Sequence, residues 1–235
     1  MRYHCKESNV GDRIVPDYYR RTYEKWYSWF AYIYDPFVKM FLFLLGGGFG
    51  GERRWRGLIV EWINPQPGEK IMDICCGTGT LTIMLGNKLV GTEEVVGIEL
   101  SAAQLRIAHK KEKPDNVSFM EGDAQDIPFP DCHFDKGVIC TALHEMPREV
   151  RQNVLMEAYR VIVPGGSIVI VEQNKPTQKW KRSLFGFMER FNPEYQTYKD
   201  MLKCGLTNEI ERAGFKIIRR STIIWEFFQI VLAEK

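Results

Sequence analysis

Two acidic residues and two glycines in residues 70–99 have types and a spacing that point to ligand chemistry. An apolar run ends in Asp73, a tight turn carries Gly77 and Gly79, and a second apolar run ends in Glu99. A strand–turn–helix–strand unit of this kind brings backbone amides and a helix N-terminus close to a ligand, and the acid at the second strand tip accepts hydrogen bonds from a ribose diol. The spacing therefore predicts a site for an adenosine-bearing cofactor.

The residue after the glycine pair helps to distinguish two candidate cofactors. A dinucleotide site has a third glycine for helix packing beside the pyrophosphate, and Thr82 stands at that position here. S-adenosylmethionine has no pyrophosphate, and an acid such as Asp73 can organise its cationic amino-acid tail. The pattern favours S-adenosylmethionine; an NAD-dependent oxidoreductase and a turn without any ligand are the alternatives.

Composition narrows the class of protein. The chain has 235 residues, of which 45% are hydrophobic, enough for one α/β domain with a short extension. A formal net charge of +2 gives no reason to expect nucleic acid as a partner, since such binding needs concentrated positive charge. The six cysteines and four histidines show no metal-ligand spacing, so neither a metal site nor a disulfide framework is expected. Scattered cysteines and a polar Met1–Val10 without signal-peptide character predict a cytoplasmic location.

The segment before residue 65 is predicted to be a helical N-terminal extension or lid, and residues 65–235 the cofactor-binding domain. Aromatic residues recur in the extension at three- and four-residue steps, which is typical of one helix face. Tyr23 and Trp26 belong to this stripe, and Tyr34 follows it. These three aromatic residues are candidates for a substrate contact or a lid over the site.

Beyond residue 65, short apolar runs alternate with helix-forming segments. The alternation predicts a Rossmann-like, doubly wound α/β fold: seven mostly parallel strands with helices on both faces and an antiparallel strand at the C-terminus. The predicted strands are Ile71–Cys75, Val95–Glu99, Val117–Met120, Phe134–Cys140, Ser167–Glu172, Phe215–Ser221 and Ile224–Ala233. The predicted helices are Glu52–Trp62, Leu81–Leu89, Ala102–Lys111 with Ser101 as N-cap, Arg148–Val161 stopped by Pro164–Gly166, and Tyr198–Ala213 ending at Gly214.

Several residues with chemical potential follow the ends of these predicted strands. Ligands of parallel sheets bind outside the carboxyl ends of the strands. Cys75, Glu99, Asp123 and the segment 141–145 fall at those ends or one loop beyond. The predicted topology therefore brings them to one edge of the sheet.

Five segments that run through most of the chain match one known pattern. They are Tyr34–Asp35 with Glu52–Arg56, Asp73–Gly79, Val96–Ser101, Glu121–Phe129 and Glu157–Gly166. By these segments the chain resembles the class I S-adenosylmethionine-dependent methyltransferases, and among them the ubiquinone/menaquinone C-methyltransferase family.

The resemblance implies roles for the matching residues. Asp73, Gly77 and Gly79 would surround the methionine tail and the ribose, and Glu99 would hold the ribose hydroxyls. Leu100, Asp123 and Ala124 would lie against the adenine, and Thr141 near the sulfonium. The cofactor-binding candidates are Asp73, Cys75, Gly77, Gly79, Glu99, Leu100, Gly122, Asp123, Ala124 and Thr141.

The methyl acceptor is predicted only as a small apolar or lipid-like molecule. The segments 141–147 and 191–204 differ from those of the quinone enzymes, so quinone-type C-methylation and lipid-amine N-methylation are both open. His144 and Glu145 are candidates for removing a proton from the acceptor, because they follow the fourth strand and histidine titrates in a suitable range. His144 could instead pack in its loop, and Glu145 could be solvated. A non-catalytic module that binds the cofactor or activates a partner is the alternative function.

Two apolar segments raise the question of membrane contact. Phe37–Leu45 has nine residues, too few for the roughly 20 that span a bilayer. It is a core helix, a lid or an interfacial segment. Lys175–Arg190 mixes basic and apolar residues and could cover the acceptor, meet acidic lipid headgroups or form a solvated helix. Peripheral membrane contact is therefore open, and the oligomeric state is unknown.

Overall fold

The computed structural model describes most of the chain from residue 50 onward. The described residues are 50–89, 94–179 and 195–235, together with the single positions Asp35, Pro36, Met40, Phe43 and Ser183. The aromatic residues Tyr23, Trp26 and Tyr34 lie outside them, as does most of 180–194. The lid and the division of the chain after residue 64 therefore stay predictions.

One sheet of seven strands forms the centre of the described protein. The strands are β1 (Ile71–Ile74), β2 (Val95–Glu99), β3 (Val117–Glu121), β4 (Phe134–Cys140), β5 (Ile162–Gln173), β6 (Lys216–Ile223) and β7 (Phe228–Glu234). Their order is β3-β2-β1-β4-β5-β7-β6. The first five strands run parallel, and β7 is antiparallel to both β5 and β6. The predicted fold class is thus confirmed, and the strand order reverses between β1 and β4, where such sheets open a crevice.

Six α-helices accompany the sheet in the described residues. They are α1 (Gly51–Ile63), α2 (Thr80–Gly86), α3 (Ala102–Ala108), α4 (Arg148–Val161), α5 (Tyr195–Cys204) and α6 (Leu206–Arg212). The predicted cap of α3 is confirmed, since Ser101 Oγ accepts a hydrogen bond from the Gln104 N–H at 3.4 Å. A short 3₁₀ turn (Leu143–Glu145) follows β4.

Several element boundaries differ from the prediction. The strand predicted to start at Ile224 starts at Phe228, because Ile224, Trp225 and Glu226 form a turn with φ values of 48°, 56° and 72°. The single helix predicted over 198–213 is divided between α5 and α6, because Gly205 has a φ of 80°, which an α-helix does not contain. The strand predicted to start at Ser167 starts at Ile162, directly after α4, where Ile162 pairs with Phe134. The Pro164–Gly166 segment forms an irregularity inside this strand, because the next pair with β4 is Lys136 with Ser167 and Gly165 has a φ of 78°.

The sheet buries apolar side chains on both faces. The adjacent residues Ile71 and Met72 are both fully buried but belong to different hydrophobic clusters, as expected when successive strand side chains point to opposite faces. Ile59 and Ile63 of α1 pack in the cluster of Ile71, whereas Val154 of α4 packs in the cluster of Met72. Coverage of both faces explains the continuously apolar parallel strands.

A buried arginine joins the helices on one side of the sheet. Arg151 of α4 is fully buried and pairs with Glu209 of α6, with contacts of 2.9 and 3.0 Å. It also donates to Asp200 of α5 at 2.7 Å and to the carbonyl of Met146 at 2.7 Å. A buried charge is costly unless it is fully paired, so this cluster holds α5 and α6 in place beside the turn after β4.

The structure bears on two predictions from the sequence, one about disulfide bonds and one about membrane-spanning helices. Among the described residues, Cys75, Cys76, Cys140 and Cys204 are free thiols. Cys132 is disulfide-bonded, against the expectation of no disulfide framework, since spacing along the chain does not show which cysteines meet in space. None of the described helices combines the length and apolar character that crossing a bilayer requires.

Candidate functional site

A cleft of about 490 Å³ opens at the carboxyl ends of the central strands. Six predicted site residues line it: Asp73, Cys75, Gly77, Glu99, Thr141 and Glu145. A second cavity of about 320 Å³ shares Cys75 and Glu99 with the first and is also lined by the predicted residues Leu100, Gly122, Asp123 and Ala124. Of the candidate cofactor-binding and catalytic residues, Gly79 and His144 line neither cavity.

The turn after β1 exposes its backbone to the cleft. Gly77 and Gly79 have φ values of 59° and 73°, in the left-handed region that favours glycine, and Cys75 adopts 62°. A Cβ atom on Gly77 would come within 2.8 Å of Gln104 Oε1, and one on Gly79 would collide with the Phe119 ring. Both glycines are therefore needed for the close approach of this loop to α3 and β3.

Glu99 ends β2 and holds the glycine turn in place. Its side chain is buried, and its two carboxylate oxygens accept hydrogen bonds from the backbone N–H of Gly77 at 3.0 Å and of Ser101 at 2.9 Å. Each carboxylate oxygen has a second acceptor position. The residue can thus fix the loop and still accept hydrogen bonds from a ligand diol.

Asp73 is a fully buried carboxyl at the floor of the cleft. Burial raises its pKa to about 7, although a hydrogen bond from the Thr82 hydroxyl at 2.6 Å and the charge of Arg56 act in the opposite direction. Thr82, the residue that replaces the third glycine of a dinucleotide site, therefore has a structural role as the donor to Asp73. A cationic ligand placed beside Asp73 would stabilise its charged form.

Arg56, which was not predicted as a site residue, brings a positive charge to the cleft. It lies on α1, is buried, and donates from Nε to Glu52 at 3.0 Å. Its guanidinium lines the same cleft as Asp73 and can hold a carboxylate. The only sequence signal was its place in the segment Glu52–Arg56, which carried part of the family resemblance.

A second group missed from the sequence lies beside the glycine turn. Asp35 accepts a hydrogen bond from the Thr78 hydroxyl at 2.6 Å and forms an ion pair with Lys111 at 2.6 Å. Lys111 also donates to the Thr80 hydroxyl at 2.7 Å. Burial alone would raise the pKa of Asp35, but Lys111 and Thr78 bring it below its ordinary value. This cluster connects the segment before α1 with the loop that forms the cleft.

Asp123 lines the second cavity and is oriented by its own loop. Its carboxylate accepts hydrogen bonds from the backbone N–H of Gln125 at 2.9 Å and from the Gln125 amide at 3.3 Å. Asn153 of α4 holds the Gln125 side chain through a contact of 3.1 Å. The loop after β3 thus presents a fixed acceptor beside Leu100.

The turn after β4 places the two candidate catalytic residues differently. Thr141 has a φ of 53° and lines the cleft together with Glu145. His144 is buried beside the cleft, with Nδ1 2.8 Å from an oxygen of Glu172 and Nε2 4.0 Å from Glu145. Glu172, at the end of β5, is fully buried and also accepts the Leu143 N–H at 2.6 Å. Glu172 was not among the site residues predicted from the sequence.

The residues of the two cavities fit S-adenosylmethionine. A buried acid, a ribose-type acceptor and a guanidinium surround one cleft, so a cationic amino-acid tail on a nucleoside would find complementary groups there. Gln104 Oε1 is also buried in the cleft without a hydrogen-bond partner. Fold and site together define a class I S-adenosylmethionine-dependent methyltransferase.

The family follows from comparison with known proteins. A model of the ubiE/COQ5 methyltransferase family matches residues 27–203, well over half of the chain. The chain belongs to this family, and it is an S-adenosylmethionine-dependent methyltransferase.

Two curated relatives illustrate the match. The chain is 34% identical over 176 residues to a demethylmenaquinone methyltransferase of Geobacillus sp. (strain WCH70), covering 74% of this chain and 73% of the relative. It is 32% identical over 145 residues to a chloroplastic 2-phytyl-1,4-beta-naphthoquinone methyltransferase of Arabidopsis thaliana, covering 59% and 55% respectively. The chain thus spans only about half the length of the second relative.

Solved structures share the fold. A crystal structure of the [4+2]-cyclase SpnF superposes with a TM-score of 0.65 at 16% identity and covers 92% of this chain and 96% of that one. A SAM-dependent methyltransferase from Aquifex aeolicus gives a TM-score of 0.58 at 19% identity, covering 76% and 88%. At these identities the likeness shows the fold alone.

Proposed function

We propose that this methyltransferase adds a methyl group to a ring carbon of a reduced quinone with an apolar side chain. One observation carries the proposal. Two relatives, 34% and 32% identical to this chain, are named as methyltransferases of demethylmenaquinone and of a phytyl naphthoquinone. Neither name supports N-methylation of a lipid amine, and neither supports a non-catalytic module.

The proposed cofactor contacts follow the geometry of the two cavities. Asp73 and Arg56 would hold the ammonium and carboxylate of the methionine tail, with Gly77 and Gly79 shaping the loop around it. Glu99 would accept hydrogen bonds from the ribose diol. The second cavity would take the adenine between Leu100, Gly122, Asp123 and Ala124, and Cys75 and Thr141 would lie near the sulfur.

The chain has to align the acceptor carbon with the methyl group and exclude water. When bound, S-adenosylmethionine supplies a methyl group on a positively charged sulfur. A carbon–carbon bond forms as the sulfur–carbon bond breaks, and the ring carbon then loses its proton. The products are the methylated hydroquinone, S-adenosylhomocysteine and one proton. Alignment of this kind can contribute roughly 7–11 kcal/mol to the barrier reduction.

Glu145 and His144 are the proposed proton acceptors. A hydroquinone that loses a phenolic proton moves electron density onto its ring carbons, which makes attack on the methyl group easier. Glu145 lines the cleft, and His144 lies beside it with Nε2 4.0 Å from Glu145. A positioned base of this kind typically contributes roughly 10²- to 10⁴-fold to a rate.

The proposed acceptor is a lipid, and the turn between β6 and β7 supports a peripheral membrane contact. Phe228 pairs with Gln173 at the carboxyl end of β5, so the preceding Trp225 lies at the same edge of the sheet as the cleft. Trp225 is 55% exposed, and tryptophan concentrates at membrane–water interfaces. Lys175 and Lys179, which follow β5, are exposed and would attract anionic lipids.

Methylation of a defined acceptor tests the proposed function. The protein is incubated without oxygen with methyl-labelled S-adenosylmethionine and a prenylated naphthoquinone that lacks the ring methyl group, reduced chemically. Mass spectrometry is expected to find the label on the ring and an equal amount of S-adenosylhomocysteine. The oxidised quinone is the matched control and should give no product, because it has no phenolic oxygen to donate electron density.

The same assay includes phosphatidylethanolamine as a competing acceptor. Label on its amine, with none on the naphthoquinol, would overturn the proposal. If neither acceptor is labelled although the protein still binds S-adenosylhomocysteine, the quinone assignment is also overturned. Only the assignment of the cofactor then remains.

A further inference from the structure

Gln104 stands out in the cleft because its side-chain oxygen is buried and unpaired. Only 3% of the residue is exposed, and Oε1 has no hydrogen-bond partner. A buried amide oxygen without a partner destabilises a protein relative to a paired one, because its interaction with water is lost and not replaced. The neighbouring buried positions of α3, Ala103 and Leu105, are apolar. An apolar residue at position 104 would therefore avoid this cost in the protein alone.

Gln104 lies between the glycine turn and the cleft. The residue lies in the first turn of α3 and lines the same cleft as Glu99 and Gly77. A Cβ atom on Gly77 would come within 2.8 Å of Oε1, so the loop approaches this oxygen with backbone alone. Both oxygens of Glu99 already accept a backbone N–H.

We infer that Gln104 is a cofactor-binding residue whose Oε1 accepts a hydrogen bond from one ribose hydroxyl of the cofactor. This inference rests on the proposed function only in its use of the cofactor cleft, and not on the identity of the methyl acceptor. Glu99 and Gln104 would then share the diol, so the site distinguishes ribose from deoxyribose with two acceptors rather than one.

Binding of S-adenosylhomocysteine by calorimetry tests the inference without any turnover. Gln104→Met keeps a similar volume but removes the acceptor, and affinity is expected to fall roughly 5- to 30-fold, as for the loss of one buried hydrogen bond. Gln104→Leu is the second variant, in case the methionine variant does not fold. Gln173→Met is the matched control, because Gln173 Oε1 is also buried and unpaired but lines neither cavity.

Sugar analogues separate a direct contact from a structural effect. The 2′-deoxy and 3′-deoxy forms of S-adenosylhomocysteine are measured with the wild type and Gln104→Met. One of the two analogues lacks the hydroxyl that Gln104 binds. For that analogue, the affinities of the wild type and of Gln104→Met are expected to agree within about twofold. An equal loss for all three ligands, or an unchanged affinity for S-adenosylhomocysteine, would overturn the inference.

The outcome is independent of the acceptor assay. If the wild type binds S-adenosylhomocysteine and methylates the naphthoquinol but Gln104→Met binds normally, the inference falls and the proposed function stands. If Gln104→Met shows the ribose-dependent loss of affinity and the wild type methylates no naphthoquinol, the inference stands and the proposed function falls.

Discussion

Glu172 and His144 form a buried carboxylate–imidazole pair, with Glu172 Oε2 2.8 Å from His144 Nδ1. Because a carboxylate only accepts hydrogen bonds, the pair fixes the proton on Nδ1 and makes Nε2 the acceptor nitrogen of the neutral ring. The two residues come from the end of β5 and from the turn after β4. The pair thus orients the candidate base from behind the cleft.

Replacing Glu172 tests this orientation. Glu172→Gln keeps the size of the side chain but removes the charge that selects the tautomer, so we expect kcat to fall roughly tenfold or more. The affinity for S-adenosylhomocysteine should stay within about twofold, since Glu172 does not line either cavity. Glu234→Gln, at an exposed strand end, is the control. An unchanged kcat in the glutamine variant would remove His144 from the chemistry.

Glu99 is expected to contribute strongly to cofactor affinity. Glu99→Ala removes the two carboxylate oxygens that are proposed to hold the ribose diol and should weaken S-adenosylhomocysteine binding by roughly 1.5–3 kcal/mol, or about 10- to 150-fold. Glu121→Ala is a close control, because Glu121 pairs with Glu99 in register on β3 but is exposed and lines neither cavity. Equal affinities for the two variants would show that Glu99 does not contact the ligand.

Asp73 should make stability depend on pH in a defined direction. Burial raises its pKa from an ordinary 3.8 to about 7, so the folded state holds this proton more tightly than the unfolded chain. Its contribution to stability is therefore complete below pH 3.8 and is lost as the pH rises through about 7. In urea denaturation, the free energy of unfolding should fall between about pH 5 and about pH 8, and this fall should be larger for the wild type than for Asp73→Asn.

The same carboxyl should couple cofactor binding to proton release. A cation beside Asp73 stabilises its charged form, so the affinity for S-adenosylmethionine should rise as the pH increases through about 7. Calorimetry in buffers of different ionisation enthalpy measures the released proton. Asp73→Asn should abolish the release; a release that persists in this variant would assign it to another group.

The ion pair of Asp35 and Lys111 should make a small stabilising contribution. Their side chains are 18% and 26% exposed, so a double-mutant cycle of Asp35→Asn and Lys111→Met should give about 1 kcal/mol. The pKa of Asp35 is lowered, so this contribution is present above its ordinary value of 3.8 and is lost as the pH falls through the folded-state pKa. The more exposed pair Lys70–Glu94, at 3.8 Å, should give no measurable coupling.

Arg151 should be essential for stability. Arg151→Met leaves the fully buried Glu209 without its guanidinium, and we expect a loss of about 3–5 kcal/mol in urea denaturation. The double variant Arg151→Met, Glu209→Met should recover most of this loss, because no buried charge remains. Arg106→Met, on the exposed face of α3, should change stability by less than about 0.5 kcal/mol. If Arg151→Met were as stable as Arg106→Met, the structural role of Arg151 would be contradicted.

Much of the fold could be predicted because its signals are local. Alternation of apolar runs and helical segments identified all seven strands, and Phe134–Cys140 and Val95–Glu99 were predicted to the residue. The larger errors lie at the ends of elements and at one break inside a predicted helix. Pairing with β4 extends β5 back to Ile162, and the φ of Gly205 divides α5 from α6.

The sequence by itself determined the strand-tip acids and the glycine turn, because these residues lie close together along the chain and their spacing reports a local geometry. Only the tertiary structure placed Arg56 and Gln104 in the cleft, paired Asp35 with Lys111 and set Glu172 behind His144. Such contacts join residues from different elements, up to 76 positions apart in the case of Asp35 and Lys111. Burial and charge pairing of this kind arise when the chain is packed, so no local pattern of residues records them.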